Sequence, residues 1–152
     1  MSTENTPPAE TDFHLDEFLP YRLAVAAARV SRDFARLYEA EYGLSIPEWR
    51  VIAHLGAAEG AVSVREIHQK VDMDKSRVSR AAARLETAGY VTKSENAADR
   101  RLVSLRLTDE GRRLHAAIAA RAQVYEAELL SRLPQEEARM LRACLDAVAA
   151  AV

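Results

Sequence analysis

The sequence predicts a mainly α fold of the α+β kind: a helical chain carrying one small β-hairpin, with long helices at both ends. Three observations carry that expectation. Of 152 residues, 29 are Ala against 5 Gly and 5 Pro, and Ala costs least in a helix while Gly and Pro cost most. Apolar residues recur at three- and four-residue steps over most of the chain, the mark of amphipathic helices. The period shortens to that of strands in one stretch only, between residues 90 and 107.

Composition bounds the function classes. Hydrophobic residues make up 49% and charged residues 29%, ordinary for a folded soluble chain and unlike a β-sandwich, a collagen-like repeat or a disordered polymer. Uncharged runs fall far short of the ~20 apolar residues that span a bilayer. The first twenty residues carry five acids and no Lys or Arg, which is not a signal peptide. The single cysteine, Cys144, excludes an internal disulfide framework and a Cys-rich zinc site. Its place in the last helix reads as a buried structural thiol. The expected compartment is the cytoplasm, with no membrane partner and no cofactor.

The elements follow in order. Residues 1–11 (MSTENTPPAET) are polar and Pro-containing, a disordered tail. Leu15, Leu19, Leu23, Ala26, Val30, Phe34, Leu37 and Tyr38 then place one long helix up to about Glu41, which Pro20 either starts or kinks and Gly43 stops. Ser45-Ile-Pro-Glu48 is a capping box. It opens a helix with Trp49, Val51, Ile52 and Leu55 that ends near Gly60. A second capping box, Ser63-Val-Arg-Glu66, opens a short helix bearing Ile67 and Val71. After Asp72-Met-Asp74 a further helix runs to Gly89, with Val78, Ala81, Ala82 and Leu85 on one face. Two short helices joined by a three- or four-residue turn make a helix-turn-helix. Residues 90–95 and 102–107 read as two strands around the turn-rich Asn96–Arg101. Thr108 begins a long helix with Leu114, Ile118, Ala122, Tyr125 and Leu129 at intervals of about four residues. Pro134 begins the last helix, with Leu141, Leu145 and Val148.

The formal charge of -2 hides a polarity. Residues 63–113 hold 12 basic and 8 acidic side chains, whereas residues 1–20 hold none and five. A local excess of positive charge on a helix-turn-helix followed by a hairpin points to a polyanion partner. Ser45-Ile-Pro-Glu-Trp-Arg-Val51, Asp74-Lys-Ser-Arg-Val-Ser-Arg80, Arg84-Leu-Glu-Thr-Ala-Gly89, Asp99-Arg-Arg101 and Leu107-Thr-Asp-Glu-Gly111 together resemble the MarR family of bacterial transcription regulators, over residues 15 to 150. The resemblance implies a winged helix-turn-helix lobe over 45–111 and dimerisation helices over 12–42 and 112–152.

Physics gives the lobe its roles. A recognition helix enters the major groove with small polar and long basic groups at its N-terminal end. Ser76 and Arg77 are the candidates for base contacts. Lys75, Ser79, Arg80 and Arg84 are candidates for phosphate contacts, which give affinity and register rather than sequence. In the hairpin, Arg100 and Arg101 are placed for the minor groove. By similarity to the family Arg101 inserts, Asp99 braces the turn, and Asp74 is expected to pair with Arg101. Lys93, Arg106, Arg112 and Arg113 read as solvated surface.

The resemblance further implies a homodimer on double-stranded DNA, its seam including Leu15, Phe18, Leu141, Leu145 and Val148. It implies repression of a pseudo-palindromic operator, relieved by a small-molecule effector. Tyr21, Arg22, Arg29, Trp49 and His54 are the candidate ligand residues, since an aromatic acid or acyl-thioester needs cations and aromatic walls. An alternative is a winged-helix interaction or architectural module without a switch, free to lose the basic groups. An enzyme is disfavoured. His14, His54, His68 and His115 lack metal-site spacing, and neither a Gly-rich phosphate loop nor a G-x-S-x-G elbow is present. Catalytic residues and metal ligands are therefore expected to be none.

Overall fold

The computed structural model describes residues 12–95, 98–99 and 101–151. The tail over 1–11 and Arg100 of the hairpin lie outside the described residues. The elements run α1 (Leu19–Tyr42), α2 (Ile46–Gly56), β1 (Val62–Ser63), α3 (Val64–Lys70), α4 (Lys75–Thr87), β2 (Val91–Glu95), β3 (Val103–Leu107), α5 (Asp109–Ser131) and α6 (Gln135–Ala150).

Local chemistry sets most boundaries. Pro20 lies in the first turn of α1, where a missing N–H costs nothing, so it starts the helix rather than kinking it. Gly43 ends α1 at φ 66°, its N–H donating to Glu39 O at 2.9 Å. A glycine adopts this left-handed conformation without strain. The Glu48 carboxylate accepts from both the Ser45 amide and hydroxyl at 2.7 Å. The Ser63 hydroxyl accepts from the Glu66 amide at 3.1 Å, while the Glu66 carboxylate accepts from the Ser63 amide at 2.9 Å. That closed loop holds Glu66 below the usual carboxylate range. α2 stops at Gly56, four residues before the expected Gly60. The segment Ala57–Gly60 turns instead to feed β1.

The hairpin is part of a larger sheet. Three antiparallel strands lie in the order β1-β3-β2, with Val62 opposite Leu105 and Val91 opposite Leu107. The expectation of two strands is thus corrected to three. β1 has only two residues, and its Ser63 also caps α3, so it carries no two-residue alternation to read. The sheet docks on a core of Val51, Ile52, Ile67, Val78, Ala82, Leu85, Val91, Leu105 and Ile118, all at 2% exposure or less. Each large aliphatic buried there contributes about 2 kcal/mol.

α1 touches α2 and α5, and α6 touches α5. Tyr125 of α5 donates its hydroxyl to Asp33 at 3.1 Å and Val30 O at 3.3 Å on α1. Arg121 pairs with Glu41, again joining α5 to α1. No residue of α6 is buried. Leu141, Leu145, Val148, Phe18 and Leu15 are 41–51% exposed. Cys144 is exposed as well, which corrects the reading of a buried thiol: α6 buries none of its residues against the other described residues.

Candidate nucleic-acid interface

α4 divides cleanly into two faces. Val78, Ala81, Ala82 and Leu85 are buried, and Lys75, Ser76, Arg77, Ser79, Arg80 and Arg84 are exposed. The i, i+3, i+4 spacing of the buried set forces this outcome. It leaves four cations and three hydroxyls on the solvent face, most of them in the first two turns.

Asp74 caps this helix. Its carboxylate accepts from the Arg77 amide at 2.8 Å and from the Ser76 hydroxyl at 2.7 Å, and lies 4.0 Å from Arg77 Nε. The Ser76 bond, then the Arg77 amide, hold the Asp74 carboxyl below the usual range. Ser76 in turn accepts from Arg80 Nη1 at 3.1 Å. The N-terminal turn of α4 is therefore a chain of charge-assisted hydrogen bonds with its guanidinium groups still open to solvent.

The wing is braced locally. Asp99 accepts from the Arg101 amide at 3.0 Å and from its guanidinium at 3.2 and 3.3 Å. The Leu102 amide closes the turn onto Asp99 O at 2.9 Å. The Arg101 side chain is 89% exposed. Among the described residues Asp74 pairs with Arg77 and Asp99 with Arg101, and the expected bond from Asp74 to Arg101 is not formed. Each acid reaches an arginine two or three residues away more readily than one on another element. The tie from recognition helix to wing runs elsewhere, through Glu86 of α4 and Lys93 of β2 at 2.9 Å. Lys93 was expected to be plain surface. Arg112 and Arg113 pair with Asp109 and Glu110 one turn earlier on α5.

The five candidate ligand residues do not converge within the chain. Trp49 sits in an aromatic cluster with Tyr38 at 5.9 Å and Phe34 at 6.2 Å, and stacks on His115 of α5 at 6.2 Å and 20°. Arg22 is twelve residues before Phe34 on the same helix, about 18 Å along its axis. Tyr21, Arg22 and Arg29 are exposed toward the start of α1. His54 lies five residues after Trp49, on another face of α2. Helical spacing on α1 hints at Phe34 and Tyr38; nothing local signals His115. Burial pushes the Tyr38 phenol up to about 12.

A different concavity holds the cations. A cleft of about 590 Å³ opens between α1, α2 and the turn joining α3 to α4. Ala24, Ala27 and Ala28 of α1 with Ile46 and Pro47 of α2 form apolar walls; Arg32, Arg50 and Arg77 bring positive charge and Asp72 one acid. Among the described residues no three His, Cys, Asp or Glu side chains gather into a metal-binding group. No described helix is long and apolar enough to cross a membrane.

Residues 42–102, the stretch that holds the helix-turn-helix and the first strand and turn of the hairpin, match the MarR family. A MarR family regulator from Silicibacter pomeroyi DSS-3 is 34% identical, with 90% of this chain covering 99% of that one at a TM-score of 0.75. The chain belongs to the MarR family of transcription regulators. It is also similar to the HTH-type transcriptional regulator TtmR of Methylorubrum extorquens (strain PA1). There 34% identity over 100 residues spans 66% of this chain and half the length of TtmR. The PcaV regulator of Streptomyces coelicolor, solved in complex with its natural ligand, is 25% identical over 91% of this chain and 96% of its own, at a TM-score of 0.73. Membership in the MarR family makes the chain a DNA-binding transcription regulator rather than an enzyme. The mostly helical architecture with a small antiparallel sheet is the winged helix of these MarR structures.

Proposed function

We infer that this MarR-family chain is a homodimeric repressor of the cytoplasm. It reads a pseudo-palindromic operator and releases it when a small organic acid, free or as its acyl-thioester, binds. The observation that carries this reading is the solvent face of α4: Lys75, Ser76, Arg77, Ser79 and Arg80 exposed in its first two turns and Arg84 in its last, on a helix whose other face is buried. In the major groove Ser76 and Arg77 meet base edges, and Lys75, Ser79, Arg80 and Arg84 hold phosphates. Arg101, braced by Asp99, enters the minor groove beside it.

The dimer is supported by the uncovered apolar faces of α6 and of the segment leading into α1. A two-fold dimer sets two recognition helices on half-sites one turn apart. The effector reading is supported by the cleft beside α2, where apolar walls and three guanidinium groups suit a carboxylate on an apolar body. The S. coelicolor relative, solved with its ligand, agrees with a ligand-responsive chain.

Selection of random duplexes with the full chain tests the function. Enrichment of an inverted repeat with half-sites about ten base pairs apart supports the reading. Failure to enrich any sequence defeats it and favours a winged-helix interaction module.

A further inference from the structure

The turn between α3 and α4 is held from outside its own backbone. It spans Val71–Asp74, and Asp72 takes a left-handed φ of 48°, a conformation that side-chain-bearing residues adopt rarely. Side chains secure its carbonyls. His68 Nδ1 lies 2.6 Å from Met73 O, so that nitrogen carries the proton and donates. Arg50 of α2 donates from Nη1 to Val71 O at 3.4 Å. Immediately beyond, Asp74 caps the recognition helix through the Arg77 amide.

Arg50 also lines the apolar-walled cleft, and so do Asp72 and Met73 of the turn and Arg77 of α4. One guanidinium therefore both holds the Val71 carbonyl and lines the cleft. The Val71 carbonyl is neutral and its bond is long, against the usual 2.9–3.0 Å. A carboxylate in the cleft offers a charged, bidentate partner at shorter range, the stronger of the two. An anion there also lies against the Asp72 carboxylate and repels it.

We propose that Arg50 is the positioning residue through which the cleft reports to the recognition helix. An organic anion bound there takes the Arg50 guanidinium from the Val71 carbonyl and loosens the turn that aims α4. This rests on the reading that the cleft holds such an anion. The device acts inside one protomer and needs no change in the spacing of two recognition helices.

Amide exchange followed by NMR on the full chain tests it, with benzoate and hexanoate as probes and neutral benzamide as control. The reporters are the Val71, Arg77 and Val78 amides, hydrogen-bonded to Ile67 O, the Asp74 carboxylate and Asp74 O. In the wild type, millimolar benzoate or hexanoate shifts the Arg32 and Arg77 side-chain N–H signals. It also speeds exchange at the three amides about fivefold, the effect of losing one hydrogen bond. In Arg50→Gln exchange is fast already and the probes add nothing; Arg50→Lys recovers part of the protection. Arg32→Gln weakens the probe but keeps the turn protected in its absence. Probe binding with unchanged exchange overturns the coupling and leaves the cleft reading standing. Absence of saturable shifts with either carboxylate overturns the cleft reading and the coupling with it. Benzamide acting as well as benzoate overturns the argument from charge.

Discussion

Asp74 illustrates how one side chain shapes the start of α4. Its carboxylate ends the helix-turn-helix turn, caps α4 and orders Ser76 and Arg77. Because its folded pKa lies below the unfolded value, the cap favours the folded state at every pH above the ordinary Asp range. That contribution disappears as pH falls through the folded pKa. The melting-temperature gap between wild type and Asp74→Asn is therefore expected to be constant above about pH 5 and to shrink toward pH 3. A gap independent of pH over that range contradicts the assignment. On an enriched duplex, Arg77→Ala is expected to cost about 1–3 kcal/mol of binding and to relax discrimination, whereas Arg84→Ala weakens enriched and scrambled duplexes alike. Anisotropy titrations of both variants separate the two roles. The exposure of these residues was legible in the sequence, since the buried positions of α4 fix which side chains remain outside. Arg50 was not legible: on α2 it is one polar position among several, and its partner at Val71 becomes a neighbour only when α3 folds back.

At the scale of the elements, the junction of wing and α5 is closely packed. Thr108 accepts from the Gly111 amide at 3.0 Å and donates to Gly89 O at 2.7 Å, and the Thr108 amide bonds Tyr90 O. A Cβ on Gly111 would stand 2.0 Å from Tyr90 O. Backbone cannot move aside cheaply, so Gly111→Ala is expected to destabilise the fold by about 3 kcal/mol, read as a fall in denaturant midpoint. A loss under about 0.5 kcal/mol rejects this packing, since close overpacking costs more. Capping boxes made α2 and α3 readable to the residue at their starts, because their chemistry is local. The end of α2 and the existence of β1 were not readable. Both depend on Val62 and Ser63 meeting Leu105 and Ser104, a pairing between segments far apart in the sequence.

At the scale of the whole molecule, α6 decides what kind of reader this is. Met140, Leu141, Leu145 and Val148 stand exposed on a helix that buries nothing, and Cys144 lies among them. The periodicity that placed these residues could not say whether they turn inward or toward a second copy, because both fates need the same apolar stripe. If a partner covers the stripe, Leu145→Asp leaves the winged helix folded but lowers the sedimentation mass to that of one chain. It also makes Cys144 react faster with a thiol reagent. An unchanged mass and reaction rate contradicts the dimer. The claim that sequence-selective DNA reading is this chain's work has its own direct measurement: fluorescence anisotropy of the full chain on an enriched duplex and its scrambled counterpart, across a salt series. The account predicts binding to the enriched duplex about a thousandfold tighter or more. It also predicts affinity for both falling steeply with salt and most of the preference vanishing in Arg77→Ala. Equal affinity for the two duplexes at every salt concentration contradicts it.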